Sequence, residues 1–211
     1  MDRVTYLIPA AGFGSRVGSP LSKEMLLDSE TGEPLIEKHL RAAQENGAKA
    51  LVITRLEKLN LIEFIRTKYK DTELVFVEKT PEWTDSLIGT QNLWSNRNIV
   101  ILPDTVFRPT TILKEIGDLL TNTQVVYATH KVDDPKNWGI IDFTPENKPS
   151  IWEKPMNSVH TDAWGVMGFQ KSCGVQLLTA HRNSQVNKVP QILDFKCAQI
   201  RLEEFRDLTR G

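Results

Sequence analysis

A loop of small residues near the start of the chain has the composition of an anion-binding turn. It follows the apolar segment Val4–Ile8 and runs Pro9-Ala10-Ala11-Gly12-Phe13-Gly14-Ser15-Arg16. Small side chains let backbone N–H groups approach an anion closely, and Arg16 adds a fixed positive charge suited to a polyphosphate. The loop lacks GxxxxGK[ST], and Val17 stands where GxGxxG needs its third glycine, so neither common phosphate fingerprint is present. A tight strand-to-helix turn with a surface arginine is the alternative that the loop alone leaves open.

Two further charged residues stand next to apolar runs. Lys23 comes seven residues after Arg16 and shortly before Met25-Leu26-Leu27, although by itself it could be a solvated loop residue. Asp104 follows the apolar run Ile99–Leu102. Ligands bind at the carboxyl ends of strands in open α/β sheets, so Asp104 is a candidate site residue. An ordinary aspartate in a turn is the alternative reading.

Alternating strand and helix patterns in the first half must position these groups. Predicted strands are Val4–Ile8, Ala50–Thr54, Leu74–Val77 and Ile99–Leu102, and predicted helices are Leu35–Asn46, Leu59–Tyr69 and Ser86–Trp94. This alternation is typical of right-handed βαβ units and predicts an α/β fold with a mostly parallel sheet. The four histidines are scattered, and His39 is expected on the surface of the first helix.

The pattern changes after Thr123. Strand candidates Val125–Thr129, Gly139–Phe143, Ser150–Lys154 and Trp164–Phe169 follow with little helix between them, and then helices near Gly174–His181 and Pro190. Proline residues between the strands favour an irregular, partly antiparallel region. No linker marks the change, so we expect a single domain, residues 1–211, with halves 1–123 and 124–211.

Length and composition indicate a globular protein of ordinary domain size. The chain has 211 residues, 40% of them hydrophobic and 25% charged, and a formal net charge of −1. These values exclude a disordered chain, a collagen-like chain and a strongly basic nucleic-acid coat. Val4–Pro9 is too short to span a bilayer and lacks a signal-peptide pattern. Cys173 and Cys197 form no CxxC or metal-ligand spacing, so we expect a cytoplasmic protein without a disulfide framework or zinc site.

The loop, Arg16, Lys23 and the downstream Pro34-Leu35-Ile36 together resemble the signature of nucleoside-triphosphate transferases, which include the sugar-1-phosphate nucleotidyltransferases. The resemblance implies a Rossmann-like three-layer sandwich of the GT-A-like nucleotidyltransferase type, with an antiparallel acceptor-side region. It also implies nucleotide-binding roles for Ala10, Ala11, Gly12, Gly14, Ser15, Arg16 and, in a base-contacting turn, Gly89. The match departs from the family in the short gap between Arg16 and Lys23 and in Pro103 before Asp104.

The same resemblance implies an acceptor pocket and a metal site in the rest of the chain. Trp138-Gly139 resembles the family's aromatic-glycine strand start, and Glu153-Lys154-Pro155 resembles its Glu-Lys-Pro element, ahead of the strand with Trp164. Gly139, Glu153, Lys154 and Trp164 are therefore predicted to bind the acceptor. The resemblance implies that Asp104 and Asp207 are the ligands of Mg²⁺. It also implies four catalytic residues: Arg16, Lys23, Asp104 and Lys154. Arg206 directly before Asp207 departs from the family's pattern.

The implied activity is Mg²⁺-dependent formation of an NDP-sugar and pyrophosphate from a nucleoside triphosphate and a sugar 1-phosphate. A cytidylyltransferase acting on an alcohol phosphate such as phosphocholine is one alternative, and a catalytically silent nucleotide-binding domain is another. A GT-A glycosyltransferase is disfavoured because no DxD ends a central strand; Asp133-Asp134 precedes Pro135 in a predicted turn. The expected partners are these small molecules or another phosphate acceptor, with neither nucleic acid nor membrane, and a homo-oligomer is left open.

Overall fold

The computed structural model describes residues 3–12, 22–143 and 148–207. Four parallel strands form one side of the main sheet in the order β4-β1-β2-β3. Their bounds are β1 (Thr5–Pro9), β2 (Lys49–Thr54), β3 (Glu73–Phe76) and β4 (Arg97–Ile101), and the connecting helices are α1 (Leu35–Glu45), α2 (Leu59–Lys68) and α3 (Trp83–Ile88). These βαβ units are the parallel part predicted from the sequence.

The second half extends the same sheet with antiparallel strands. The further elements are β5 (Thr105–Arg108), α4 (Ile112–Leu119), β6 (Val125–Lys131), β7 (Gly139–Phe143), β8 (Pro149–Glu153), β9 (Asp162–Gln170), α5 (Lys171–Asn187), β10 (Gln191–Ile192), β11 (Cys197–Arg201) and β12 (Glu204–Asp207). Strand β9 pairs along its length with β6, so β4 and β7 share its other edge. Strands β8 and β10 continue beyond β7, β11 pairs in parallel with β6, and β5 and β12 form a separate two-stranded sheet.

Alternating side chains of β1 enter two hydrophobic cores on opposite faces of the sheet. Tyr6 and Ile8 join the core that contains residues of α1, α2 and α4. Leu7 joins the other core, with Leu87 of α3 and Leu177 of α5. Because successive strand residues point to opposite faces, this division places helices on both sides of the sheet. The predicted three-layer α/β sandwich with an antiparallel second region is confirmed.

Several predicted elements differ from the structure. The helix expected over Ser86–Trp94 begins earlier, as α3, and ends at Ile88, with a 3₁₀ turn at Gln91–Leu93. The helix expected near Pro190 is wrong: strand β10 follows there, since Gln191 and Ile192 pair with β8. His39 is buried rather than on a helix surface, because α1 turns it against the Phe107 ring, 5.6 Å away between centroids.

Within residues 3–12, 22–143 and 148–207, none of the helices combines the length and the apolar character needed to cross a bilayer.

Candidate functional site

A cavity opens where the sheet splits between β4 and β7. Ile101, the last residue of β4, pairs with Val166 of β9, and Ile140 of β7 pairs with Ala163. The carboxyl end of β4 therefore meets the start of β7 along one edge of β9. Open α/β sheets bind ligands at such points, where neighbouring strands diverge. We call this the acceptor cavity; it is lined by Trp83, Leu102, Thr105, Trp138, Gly139, Glu153, Lys154, Trp164, Gln185, Phe205 and Asp207.

Glu153, at the end of β8, is a buried carboxylate in the wall of this cavity. Only 3% of its surface is exposed. Its Oε1 accepts a hydrogen bond from Trp164 Nε1 at 2.9 Å. Gly139 pairs with Glu153 across β7 and β8, and a Cβ there would lie 2.0 Å from Trp164 Nε1 and 2.7 Å from Glu153 Oε1. Glycine is therefore required at position 139 to leave the Glu153–Trp164 hydrogen bond in place.

Lys154 adopts a left-handed backbone conformation directly after β8. Its φ is +50°, a region that residues with a Cβ rarely occupy. Its N–H donates to the carbonyl of Trp138 at 2.8 Å, which ties the turn to the segment before β7. Strained backbone of this kind is concentrated at functional sites.

A second cavity lies beside the small-residue loop that follows β1. It is lined by Pro9, Ala11, Gly12, Arg55, Lys79, Thr80, Pro81, Glu82, Trp83 and Ser86; we call it the loop cavity. Ala10 N–H donates to the carbonyl of Ile53 at 2.7 Å, which fixes the start of the loop against β2. Gly14, Ser15 and Arg16 lie outside the described residues. Trp83, the first residue of α3, lines both cavities, so a single indole separates them.

Gly89 is at the C-cap of α3, and its N–H donates to the carbonyl of Asp85 at 3.0 Å. The described wall of the loop cavity includes Ser86, one turn earlier, but not Gly89.

Lys23 and Asp104 form an ion pair. The ammonium of Lys23 lies 2.6 Å from Asp104 Oδ2, and the Asp104 side chain is 8% exposed. Asp104 lies in the turn between β4 and β5, at the carboxyl end of the sheet. The structure thus brings together two of the predicted catalytic residues that stand far apart in the sequence.

The neighbours of Lys23 attach its 3₁₀ turn to α2 and the residues before it. Lys58 Nζ contacts both carboxylate oxygens of Glu24, at 2.8 and 2.9 Å, and Ser22 Oγ donates to Asn60 Oδ1 at 2.9 Å. Burial raises the pKa of Glu24, and burial lowers the pKa of Lys58. Glu24 and Lys58 therefore form a buried ion pair in which each charge stabilises the other. Because Glu24 is the neighbour of Lys23, this ion pair anchors the turn that carries Lys23.

The small sheet places the backbone of Asp207 next to the residue that follows Asp104. In the antiparallel ladder of β5 and β12, Asp207 is the partner of Thr105, the residue that follows Asp104. Among the described residues there is no cluster of three or more His, Cys, Asp or Glu side chains suited to a metal ion. Any cation at Asp104 and Asp207 would therefore take its remaining ligands from elsewhere, such as substrate oxygens and water.

Sequence reasoning missed several residues of these two cavities. Arg55 and Lys79 contribute positive charge to the loop cavity, and Trp83 separates the cavities. Arg55 and Lys79 each follow shortly after a strand of the parallel sheet, at the edge where Asp104 also lies, and that position is a signal that could have identified them. Trp83 carries no such signal, since a tryptophan at a helix start reads as an ordinary core residue.

Comparison with known proteins gives a curated relative that is similar to this chain in sequence. The chain is 26% identical over 168 residues to the bifunctional protein GlmU of Methanococcus maripaludis; the match covers 78% of this chain and 39% of the relative. The chain thus spans about two fifths of the length of that curated relative. No protein-family model matches the chain.

Solved structures share the fold over nearly the whole chain. A proposed glucose-1-phosphate thymidylyltransferase from Bacillus anthracis, solved with a sucrose, matches with a TM-score of 0.78 and 16% identity, over 98% of this chain and 90% of that one. HddC from Yersinia pseudotuberculosis matches with a TM-score of 0.70 and 13% identity, over 99% and 94% of the two chains. HddC complexed with GMP-PN gives a TM-score of 0.66 and 17% identity over the same shares. These likenesses agree with the resemblance inferred from the sequence: the chain is similar in sequence to part of GlmU and shares the fold of these solved structures.

Proposed function

We propose that the chain transfers a nucleotidyl group from a nucleoside triphosphate to a sugar 1-phosphate, forming an NDP-sugar and pyrophosphate. The observation that carries the proposal is the pair of cavities that meet at Trp83. One begins at the small-residue loop after β1, and the other contains Glu153, Lys154 and Asp207. Two adjacent sites, one suited to a polyphosphate and one to a polar phosphate ester, are what a nucleotidyl transfer needs.

The loop cavity is the proposed triphosphate site. Backbone amides of Ala11 and Gly12 would face the phosphates, next to Ala10, whose own N–H is bonded to Ile53. Gly14, Ser15 and Arg16 stay predicted contributors to the same site, with Arg16 balancing the charge on the β- and γ-phosphates. Arg55 and Lys79 add positive charge to the described wall. A contact between Gly89 and the base stays a prediction. Gly89 caps α3, and α3 contributes Trp83 and Ser86 to the cavity.

The acceptor cavity is the proposed sugar 1-phosphate site. Glu153 can accept hydrogen bonds from sugar hydroxyls, Gly139 and Trp164 shape the wall around it, and Lys154 supplies a cation for the acceptor phosphate. The aromatic residues Trp83 and Trp138 provide apolar surface of the kind that packs against sugar rings.

The reaction needs no covalent intermediate on the protein. A phosphate oxygen of the acceptor attacks the α-phosphorus of the triphosphate, a new phosphorus–oxygen bond forms, and the bond to the bridging oxygen of the β-phosphate breaks. Pyrophosphate leaves with that electron pair. The acceptor is already an anion, so the protein's task is to position two polyanions and neutralise their charge. Lys23 and Lys154 carry the charges that would do so where the phosphates meet.

Asp104 and Asp207 are the proposed holders of Mg²⁺. Mg²⁺ is typically bound through one or two carboxylates, with substrate phosphates and water completing its octahedral shell. The two aspartates fit that pattern, since Asp207 pairs with Thr105, the residue next to Asp104. When bound, the ion would polarise the phosphate oxygens.

Both halves of the chain contribute to one sheet, which supports the proposal of a single domain with a nucleotide half, 1–123, and an acceptor half, 124–211. Strand β9 of the second half pairs with β4 of the first half and with β6 of the second, so the strands of both halves form one continuous sheet.

A pyrophosphate-release assay with Mg²⁺, testing the common nucleoside triphosphates against a panel of sugar 1-phosphates and phosphocholine, tests the proposal. Turnover with a sugar 1-phosphate is expected, and Asp104→Asn should abolish it while the thermal transition persists. Asp118→Asn, an exposed aspartate on α4, is the matched control and should keep full activity. Turnover with phosphocholine alone would establish the cytidylyltransferase alternative instead. Triphosphate binding without turnover against any acceptor would establish a silent nucleotide-binding domain.

A further inference from the structure

A continuous hydrogen-bonded chain of buried side chains ends at Glu153. Tyr127 Oη lies 3.0 Å from His181 Nε2, and His181 Nδ1 lies 2.7 Å from Glu153 Oε1. Tyr127 and His181 are both fully buried. None of the roles derived above uses His181 or Tyr127, and a histidine in the middle of α5 reads in the sequence as an ordinary helix residue.

The hydrogen-bond donors in the series Tyr127–His181–Glu153 follow from the groups at its two ends. The carboxylate of Glu153 can only accept, so His181 Nδ1 must carry the proton that it shares with Oε1. Burial raises the pKa of Tyr127 well above its usual range, so its phenol keeps its proton. In the neutral imidazole with its proton on Nδ1, Nε2 is an acceptor, so the phenol donates to Nε2 and this bond favours that tautomer.

Both side-chain hydrogen bonds that the described residues make to Glu153 are made to the same oxygen. Trp164 Nε1 and His181 Nδ1 each donate to Oε1. Oε2 is thus left as the carboxylate oxygen for a ligand in the acceptor cavity, whose wall includes Glu153. A carboxylate held on one oxygen by two N–H donors cannot rotate without breaking both bonds.

Helix α5 also holds the backbone of Glu153. The Glu153 N–H donates to Ser184 Oγ at 2.9 Å, and that hydroxyl donates to the carbonyl of Ile151 at 3.2 Å. His181 and Ser184 are three residues apart, so they lie on the same helix face. One helix face therefore fixes both the main chain and the side chain of Glu153.

We propose that His181 is a positioning residue for acceptor binding: its Nδ1–H, oriented by the Tyr127 hydroxyl, holds Glu153 so that Oε2 accepts a hydroxyl of the acceptor sugar. This inference rests on the proposed function, because it assigns Glu153 to the acceptor. His181 itself touches no substrate. It acts on acceptor affinity and leaves the triphosphate site in the loop cavity unchanged.

The test compares His181→Asn with His181→Leu. The two replacements are nearly equal in size, but the Asn side-chain amide can place an N–H donor where Nδ1 stood, and Leu cannot. His181→Leu should raise the acceptor KM by about 10- to 100-fold, the loss expected for a hydrogen bond to a charged group. His181→Asn should recover most of this loss, with the KM for triphosphate within about twofold in both variants. Equal losses in Asn and Leu, or an equal rise in both KM values, would show that His181 only fills space.

Tyr127→Phe provides a milder variant in case the histidine replacements fail to fold. It removes one hydroxyl from the core and should raise the acceptor KM about fivefold, as for a neutral hydrogen bond. An unchanged acceptor KM would show that the Tyr127 hydroxyl does not help His181 to position Glu153.

Nitrogen-15 spectra of the histidine rings separate this inference from the proposed function. They should show the proton of His181 on Nδ1 in the wild-type chain, and Tyr127→Phe should shift the Nε2 signal. A proton on Nε2 alone overturns the inference, whether or not the chain is active. A wild-type chain that shows the expected spectrum but transfers no nucleotide to any acceptor overturns the proposed function, and the assignment of Glu153 to an acceptor falls with it.

Discussion

Lys23 and Asp104 are joined by an ion pair of 2.6 Å that links the segment after the small-residue loop to the turn after the central strand β4. The Lys23 side chain keeps 23% of its surface exposed while Asp104 is nearly buried, so Lys23 is the partner that remains open to solvent. A cation in that position can contact a ligand phosphate as well as Asp104.

Lys23→Met should lower kcat/KM for nucleotidyl transfer by about 10²- to 10³-fold, the usual cost of losing one preorganised charge contact in the transition state. Lys38→Met is the matched control. Lys38, in the first turn of α1, forms an ion pair with the buried Asp28 and lowers the pKa of that carboxyl. The control should lose stability and keep kcat/KM within about twofold. Steady-state kinetics and thermal melts of both variants decide the matter, and equal kinetic losses would contradict a direct role for Lys23.

Lys58→Met should destabilise the chain in a pH-dependent way. Without Lys58, the buried Glu24 loses the contacts that lower its pKa, which burial has already raised. A carboxyl whose pKa is higher in the folded chain costs stability as pH rises from the ordinary glutamate range to that higher value. The free energy of unfolding should therefore fall by about 3–5 kcal/mol relative to the wild type near pH 7, and by less near pH 4.

Urea unfolding at the two pH values measures this difference. The double variant Glu24→Gln/Lys58→Met removes both charges and should lose the pH dependence of the deficit. A deficit of the same size at both pH values would contradict the ion-pair explanation.

Gly139→Ala should impair acceptor binding because the new Cβ would lie 2.0 Å from Trp164 Nε1 and 2.7 Å from Glu153 Oε1. One or both groups must move, and the hydrogen bond between them breaks. We expect the acceptor KM to rise by about tenfold or more, in line with the loss of a charged hydrogen bond, with little change for triphosphate. Gly117→Ala on α4, where the added carbon would meet Val4 Cγ2 at 3.3 Å, is the control. An acceptor KM unaffected by Gly139→Ala would place the sugar elsewhere.

Two buried histidines should make the fold sensitive to mild acid. Burial lowers the pKa of His39 to about 4 and that of His130 to about 4. Among the described residues, His39 Nε2 and both ring nitrogens of His130 have no hydrogen-bond partner. A histidine whose pKa is lower in the folded state contributes stability above its unfolded pKa, near 6.5, and loses it as pH falls towards 4.

For the buried His39, a pKa of about 4 in the folded chain gives an expected fall in the free energy of unfolding of about 2 kcal/mol between pH 7 and pH 5. Denaturant unfolding across this range measures the total. His130→Phe keeps an aromatic ring against Phe205, which stacks on His130 with centroids 4.1 Å apart, and should flatten the profile. A profile as steep as that of the wild type would exclude His130 as a source of the acid sensitivity.

Local periodicity was sufficient to predict the parallel half of the fold. The bounds of β1, α1, β2 and α2 differ from the predicted ones by at most a residue or so, because apolar runs and apolar helix stripes are visible without knowledge of partners. Helix α4 was missed although Ile112, Leu113 and Ile116 carry such a stripe. Strands β5 and β12 carry no comparable signal: they are short, and their pairing with each other defines them.

The candidate site was predicted in part. The structure places Gly139, Glu153, Lys154, Trp164 and Asp207 on one cavity. Their spacing along the chain does not show which strands pair to bring them together. Trp83 and His181 were not foreseen. Both come from helices on the same face of the sheet, and their rings lie 6.1 Å apart between centroids, a proximity that only the packed fold shows.

The pairing of β5 with β12 also has a consequence for the order of folding. These strands are separated by nearly all of the second half of the chain, so their ladder closes a long loop, whereas β1 and β2 pair across one helix. Contacts between distant segments are slow to form because the entropy of loop closure must be overcome first. A refolding chain is therefore expected to recover its parallel strands before β12 pairs with β5, so that Asp207 takes its place in the acceptor cavity late in folding.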